Sequence, residues 1–261
     1  MILEEIAEKT RQRVAEQKQK ISLEEMKEKA FRMEINQDFP FLSALKQDDT
    51  AFICEVKKAS PSKGLIAPDF PYVQIAKEYE DAGAAAISVL TEPYYFQGAN
   101  EYLAEIADTV HIPVLRKDFT VDEYMIYEAK VIGASAILLI CAILSQKELN
   151  HYLDIAHSLG LSVIVEAHDA SEVQMALDAG AGIIGVNNRD LKTFTVDINN
   201  SARYRSMVPE HIVFISESGI KTPEDIQKLR ENGTNAVLIG ETFMRSQNKK
   251  AELAKLRSNV V

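Results

Sequence analysis

The chain has 261 residues, 46% of them hydrophobic, with a formal net charge of −10 and a pI near 5.1. This length and composition suit one large domain with a single core, spanning residues 1–261. The acidity argues against a nucleic-acid partner, which would need a broad basic face, so an anionic ligand must be held locally.

The amino-terminal segment, residues 1–49, is predicted to form a helical extension ahead of the main repeat. Ile2, Ile6 and Val14 mark an apolar stripe at helical spacing. Ser22 and Glu25 form the pattern of a capping box, which starts a second helix.

Neither the start of the chain nor its apolar runs indicate a membrane segment. The first twenty residues lack the apolar stretch of a signal peptide. The longest apolar run, residues 136–144, is about half of the roughly 20 residues that span a bilayer. We therefore expect a cytoplasmic protein with no membrane partner.

Eight short apolar runs follow the extension, each succeeded by a longer amphipathic segment. Because these runs are apolar almost throughout, they suit parallel strands that are covered on both faces. An open doubly wound sheet is the competing fold, but the G-x-G-x-x-G fingerprint is missing after the first run. The predicted fold class is therefore α/β, a (β/α)8 TIM barrel with an N-terminal helical extension. The predicted strands are residues 51–57, 85–90, 113–117, 136–140, 162–166, 183–187, 213–217 and 236–240.

Glycine ends five of the predicted helices just before the next strand. A glycine in this place adopts the left-handed conformation without a Cβ penalty and so stops the helix. The spacing of these glycines agrees with the length of a βα unit. They are Gly83, Gly133, Gly160, Gly180 and Gly233.

Charged side chains stand at the carboxyl ends of several predicted strands: Glu55, Lys57, Lys117, Glu166 and Glu217. Any one of them is equally well explained by a strand reaching the surface. Together they predict a functional cluster, because strand carboxyl ends form the active face of a barrel and a mixed cluster tunes pKa values for acid and base chemistry.

The loops after the seventh and eighth strands predict a phosphate site. Gly219 and Gly240 expose backbone amides there, and in many barrels these two loops hold a phosphate. Ordinary turn glycines are the alternative for either loop alone. The predicted phosphate-binding residues are Lys57, Ser218, Gly219, Gly240 and Glu241.

The polar loop of residues 58–64 is predicted to be a mobile lid, from which Ser60 could reach the same anion. Phe96 and Phe119 closely follow strand ends, where each could face a planar substrate ring or pack under a helix. Cys54 and Cys141 lie in apolar runs and are predicted to be buried thiols.

The five histidines show no metal-type spacing, so we expect no metal site and give them surface or capping roles. His168, two residues after Glu166, is the histidine nearest the predicted site and could contact it from the loop after the strand.

Five motifs in order resemble those of the indole-3-glycerol-phosphate synthase family, and the likeness covers nearly the whole chain. The motifs are residues 55–62, 90–96, 116–119, 185–191 and 217–220. The resemblance implies a reaction of tryptophan biosynthesis that needs no cofactor. In it, 1-(2-carboxyphenylamino)-1-deoxyribulose 5-phosphate closes a ring and loses carbon dioxide and water.

For this reaction we hypothesise that Lys117 is the general acid on the ketone oxygen. Glu166 and Lys57 would serve the dehydration, with Glu55 orienting Lys57, although the division of work between the two lysines stays open. The predicted substrate-binding residues are Asn187 and Glu217 for the sugar hydroxyls, Arg189 for the anthranilate carboxylate or for holding the mouth together, and Ser60, Phe96, Phe119, Leu191 and Ser218.

Other functions stay open at this point. A Schiff-base lyase or aldolase would use Lys117 or Lys57 as a nucleophile. A phosphate-binding isomerase, or a silent barrel that senses a phosphorylated metabolite, would also fit the fold. In every case we expect the partner to be a small phosphorylated molecule, and we expect a monomer or weak homodimer.

Overall fold

A computed structural model describes residues 2–190 and 193–258 of the chain. The strands in chain order are β1 (Ala51–Val56), β2 (Ala59–Ser60), β3 (Gly64–Leu65), β4 (Ala86–Leu90), β5 (Val114–Lys117), β6 (Ala136–Ile140), β7 (Ser162–Ala167), β8 (Ile183–Asn187), β9 (Val213–Glu217) and β10 (Ala236–Ile239). Strands β1 and β4 to β10 form a closed parallel barrel in chain order, and β10 pairs with β1. The fold is a TIM barrel, as the sequence predicts.

Helices alternate with the barrel strands, and three of them precede β1. They are α1 (Ile2–Lys20), α2 (Leu23–Arg32), α3 (Pro40–Leu45), α4 (Tyr72–Ala82), α5 (Asn100–Ala107), α6 (Glu123–Val131), α7 (Gln146–Ser158), α8 (Ala170–Asp178), α9 (Asn199–Arg205), α10 (Pro223–Glu231), α11 (Glu241–Arg245) and α12 (Lys249–Arg257), with a short 3-10 helix at Cys141–Ile143. Within the described ranges, no helix combines the length and apolarity that crossing a membrane requires.

Local sequence signals explain the ends of these elements. All five glycines predicted to stop helices have φ between 71° and 89°. Ser22 and Glu25 form the predicted capping box of α2, since each side chain bonds the other residue's backbone N–H. Both cysteines are free and buried, as expected.

The core has two layers because successive side chains of a strand point to opposite faces. In β9, Val213 and Ile215 pack inside the barrel, whereas Phe214 packs against the surrounding helices. Phe41 and Leu45 of α3 belong to the inner layer and close it at one end. The next inward position of β9 is Glu217, so the apolar filling ends in a polar layer at the carboxyl end of the strand.

Candidate active site

A cavity of about 540 Å³ lies at the carboxyl ends of the barrel strands. Every predicted site residue in the described ranges lines it, and Leu191 lies outside those ranges. They are Glu55, Lys57, Ser60, Phe96, Lys117, Phe119, Glu166, Asn187, Arg189, Glu217, Ser218, Gly219, Gly240 and Glu241. Residues far apart in sequence thus meet in one space, because parallel strands end on the same side of the barrel.

Lys117 occupies the centre of this cluster. Its Nζ donates to Oε2 of Glu166 at 3.1 Å and to Oε2 of Glu217 at 3.3 Å. Both carboxylates are almost fully buried, with exposures of 2% and 1%. Two buried carboxylates thus share one ammonium, so one negative charge is left uncompensated when both are ionised.

The three groups of this cluster have strongly perturbed pKa values. Burial alone would lower the pKa of Lys117, but Glu166, Glu217 and Glu55 outweigh it and raise this pKa well above its usual range. Burial raises the pKa of Glu217 to about 7, and Glu166 and Glu55 add to this shift against the attraction of Lys117. Burial would raise the pKa of Glu166 too, but Lys117 and His168 hold it far below its usual range.

Glu55 and Lys57 form a second ion pair in the cavity. They are two residues apart at the end of β1, so both side chains point inward. Gly240, at the end of β10, lies directly beside them. A Cβ added at Gly240 would collide with Oε1 of Glu55 and come within 2.9 Å of Nζ of Lys57. The missing side chain of Gly240 is therefore what leaves room for this pair.

Asn187 and Arg189 carry one wall of the cavity. The side chain of Asn187 donates to Oε1 of Glu166 at 3.4 Å and accepts from the backbone N–H of Arg189 at 3.0 Å. Arg189 donates from Nη1 to the carbonyl of Phe194 at 3.2 Å. Of the two predicted roles for Arg189, this contact favours holding the mouth together.

The predicted phosphate loops have unusual backbone geometry. Ser218 and Gly219 both have positive φ, 69° and 84°, and the side chain of Val196 fills the space that a Cβ on Gly219 would take. Glu241 pairs with Arg245 at 3.1 Å and with Lys63 at 3.7 Å, so only its backbone N–H suits an anion. Lys57, Lys63 and Lys221 supply positive charge to the same cavity.

The loop after β1 forms a small hairpin instead of an irregular segment. Strands β2 and β3 pair in it, and its stem is held to the next loop by a hydrogen bond from the N–H of Ala59 to the carbonyl of Phe96. The rings of Phe96 and Phe119 lie 5.9 Å apart on the cavity wall. The motion of a lid stays a prediction.

Three apolar residues of α1, Ile2, Leu3 and Ile6, also line the cavity. The sequence marks Ile2 and Ile6 as apolar stripe residues but does not tell where that stripe docks. In the structure the amino-terminal helix therefore supplies part of the wall.

His168 contacts two carboxylates beside the cavity, one of them the predicted catalytic residue Glu166. Its Nε2 lies 3.2 Å from Oε1 of Glu166, and its Nδ1 lies 3.0 Å from Oε2 of Glu172. The available signals are its parity with Glu166 and a glutamate four residues later, and neither is specific by itself.

Comparison with known proteins connects this geometry with a family. The family model described as indole-3-glycerol phosphate synthase matches residues 3–256. The chain belongs to the indole-3-glycerol phosphate synthase family. Relatives of that name from Ruminiclostridium cellulolyticum and Lacticaseibacillus paracasei are 56% and 53% identical, over 99% and 98% of this chain and 100% and 99% of theirs. A third, from Acetivibrio thermocellus, is 45% identical over 99% of this chain and all of its own length.

Solved structures outside the indole-3-glycerol phosphate synthase family share the fold. A thiamine phosphate pyrophosphorylase from Pyrococcus furiosus has a TM-score of 0.61 at 13% identity and covers 84% of this chain and 95% of its own. A tryptophan synthase alpha-subunit from the same organism also has a TM-score of 0.61, at 14% identity, over 80% of this chain and 98% of its own. At these identities the likeness concerns the barrel alone.

Proposed function

We propose that the chain converts 1-(2-carboxyphenylamino)-1-deoxyribulose 5-phosphate into indole-3-glycerol phosphate, carbon dioxide and water. Family membership supports the reaction, and one observation carries its assignment to this cavity. The protonated Lys117 sits between two buried glutamates, within reach of loops suited to phosphate. The enzyme is then a carboxy-lyase of tryptophan biosynthesis that uses no cofactor.

The chemical groups of the substrate each have a partner in the cavity. The backbone N–H groups around Gly219 and Gly240, with Lys57, would hold the phosphate. Phe96 and Phe119 would face the aromatic ring. Ser60 and Ser218 would add hydrogen bonds, and Asn187 and Glu217 would hold sugar hydroxyls. Arg189 would reach the anthranilate carboxylate only by leaving the carbonyl of Phe194.

Lys117 would start the reaction as general acid. When the ring carbon that bears the carboxylate attacks the ketone carbon, negative charge develops on the ketone oxygen. An ammonium held by Glu166 and Glu217 can neutralise that charge and donate a proton. Loss of carbon dioxide then restores the aromatic ring.

Dehydration completes the reaction. The hydroxyl on the former ketone carbon leaves as water with a proton from an acid, while a base removes a proton from the neighbouring carbon. We assign Lys57 as the acid, oriented by Glu55, and Glu166 as the base, which stays ionised beside Lys117. We thus propose that Lys117 donates the proton of the ring closure and Lys57 the proton of the dehydration.

The direct test is to incubate the purified chain with the anilino-deoxyribulose phosphate, without added metal or cofactor, and to follow indole fluorescence. We expect the fluorescence of indole-3-glycerol phosphate to appear with release of one carbon dioxide per turnover. Unchanged substrate would refute the proposal and leave a silent, metabolite-binding barrel as the better description.

We further propose that residues 1–261 act as one barrel domain, with residues 1–49 as a helical extension that closes part of the cavity. We expect the protein to be cytoplasmic. We expect it to be a monomer or a weak homodimer. Sedimentation at several protein concentrations would measure the oligomeric state.

A further inference from the structure

His168 lies between two carboxylates beside the candidate active site, directly after the end of β7. Its Nε2 is 3.2 Å from Oε1 of Glu166, and its Nδ1 is 3.0 Å from Oε2 of Glu172. The backbone N–H of His168 donates to the same Oε2 of Glu172 at 2.8 Å. The first turn of α8 therefore fixes both the backbone and the ring of His168.

His168 lies behind Glu166 and outside the lining of the cavity. Its side chain is 17% exposed, and it is not among the described residues that line the cavity, whereas Glu166 is. The side chain of Asn200 from α9 donates to its carbonyl at 3.3 Å. A role in catalysis would therefore have to act through Glu166.

His168 is also what makes the two central glutamates unequal. Glu166 and Glu217 each accept from Nζ of Lys117 with one carboxylate oxygen, Oε2, at nearly the same distance, 3.1 and 3.3 Å. The other oxygen of Glu166 accepts a hydrogen bond from the amide of Asn187 at 3.4 Å and lies 3.2 Å from Nε2 of His168, which is an ion-pair distance without the geometry of a hydrogen bond. The other oxygen of Glu217, Oε1, is buried without a hydrogen-bond partner in the described structure.

We propose that His168, held by Glu172, is a positioning residue that fixes the orientation of Glu166 and keeps it ionised until it accepts its proton as the base. This inference rests on the proposed function for the role of Glu166 as base. Lys117 at one oxygen of Glu166 and His168 beside the other restrain the carboxylate from turning and keep it ionised until dehydration.

The carboxylates around His168 favour its protonated form, against the positive charge of the more distant Lys117. Glu166 on β7 and Glu172 on α8 are its neighbours, Asp169 at the start of α8 is near, and Lys117 on β5 lies beyond Glu166. The thiol of Cys141 packs against α8 through the carbonyl of Glu172. Burial would lower the pKa of His168, but the hydrogen bond to Glu172 and the close negative charges of Glu166 and Glu172 raise it to about 10. The ring therefore carries a positive charge at neutral pH.

The first experiment compares His168→Gln with the parent in steady-state kinetics from pH 5 to 9. Glutamine keeps a donor but removes the charge. We expect kcat to fall roughly tenfold or more with KM within about twofold, since the altered group does not touch substrate. We also expect an acidic limb to enter the kcat/KM profile of His168→Gln from low pH, because Glu166 loses a cation, whereas Glu166 of the parent stays ionised throughout this range. A purely structural role would not move that limb.

His111→Gln is the matched control. His111 also lies beside a glutamate, with Nδ1 3.6 Å from Glu80, but its side chain is 94% exposed. It precedes the amino end of β5, whereas the cavity lies at the carboxyl ends of the strands. We expect its kinetics and pH profile to equal those of the parent. If His168→Gln also keeps the parent's kcat and pH profile, the positioning role is overturned.

The second experiment needs no turnover. In the isotopically labelled parent, the His168 resonances, assigned through sequential backbone connectivities, should stay those of a protonated ring up to pH 8. Glu172→Gln keeps an acceptor but removes a charge and should bring the titration of His168 toward neutral pH. Titration of the parent ring near or below pH 6.5 would overturn the proposal even if His168→Gln fails to fold. A parent that titrates as expected but makes no indole product would instead refute the proposed function.

Discussion

Arg13 of the amino-terminal helix donates two hydrogen bonds of 2.9 Å to the two carboxylate oxygens of Asp118, the residue that follows Lys117. Asp118 is fully buried, and Thr91 also donates to it at 2.7 Å. Burial would raise the pKa of Asp118, but Arg13 and Arg116 outweigh it and lower this pKa. Helix α1 is thus fastened to the end of β5, where Lys117 stands.

Replacing Arg13 with alanine should destabilise the protein strongly. The change leaves the Asp118 carboxylate buried with only part of its charge compensated, and loss of one partner of a buried pair costs about 3 kcal/mol. Urea unfolding measures the effect. Arg32→Ala is the control, because Arg32 and Glu28 form an exposed pair worth less than about 1 kcal/mol. Equal stabilities of the two variants would contradict this account.

Local sequence signals were sufficient for the barrel itself. The eight apolar runs form the eight barrel strands, because each strand is covered on both faces. The five glycines end their helices, because each adopts a left-handed backbone conformation. The docking of α1 has no such local cause. Arg13 follows Ile6 by seven residues and so shares its helix face, but the partner Asp118 is more than a hundred residues away.

The gathering of the site residues was predictable, whereas their pairing was not. Strand ends bring Lys117, Glu166 and Glu217 to one face by topology alone. Which carboxylate keeps its proton depends on distances of a few tenths of an ångström and on His168, a residue with no distinctive spacing. No local sequence signal therefore places His168 beside Glu166.

Lys117→Ala should abolish most of the activity while the fold is retained. Loss of the general acid lowers kcat by about 10² to 10⁴, and the change also leaves Glu166 and Glu217 close together without their shared cation. Indole fluorescence measures the rate. Lys255→Ala, at an exposed position of α12, should match the parent. Turnover of Lys117→Ala within a few-fold of the parent would refute its role.

Borohydride should trap no covalent adduct when it is added during turnover. A Schiff base needs a neutral amine, and the carboxylates around Lys117 hold it as an ammonium, since its pKa is raised well above the usual range. Intact-protein mass spectrometry after reduction should give the mass of the unmodified chain. A reduced adduct mapped to Lys117 or Lys57 would instead support the lyase or aldolase alternative.

Stability should fall as the pH rises above neutral, and His168 should account for part of the fall. Its pKa is raised from 6.5 to about 10, so its stabilisation is complete below pH 6.5 and is lost as the pH rises through 10. The raised pKa of Glu217 acts in the lower window, from 4.5 to about 7, where stability also falls with rising pH. Denaturant unfolding at pH 6.5 to 10 should give a steeper decline for the parent than for His168→Gln; parallel declines would contradict it.

Adding a single methyl group at Gly240 should impair catalysis more than stability. The new Cβ would collide with Glu55 and approach Lys57, so the pair must move within the cavity. Gly185→Ala should act in the same way on Glu217, whose Oε1 occupies the space beside Gly185. A misplacement of about 1 Å can cost a hundredfold in rate, and we expect losses of that order in kcat/KM. Gly182→Ala is the control because a Cβ there meets no atom within 4 Å, so that variant should keep the parent's activity. If all three variants behave alike, the two glycines do not set the positions of Glu55, Lys57 and Glu217.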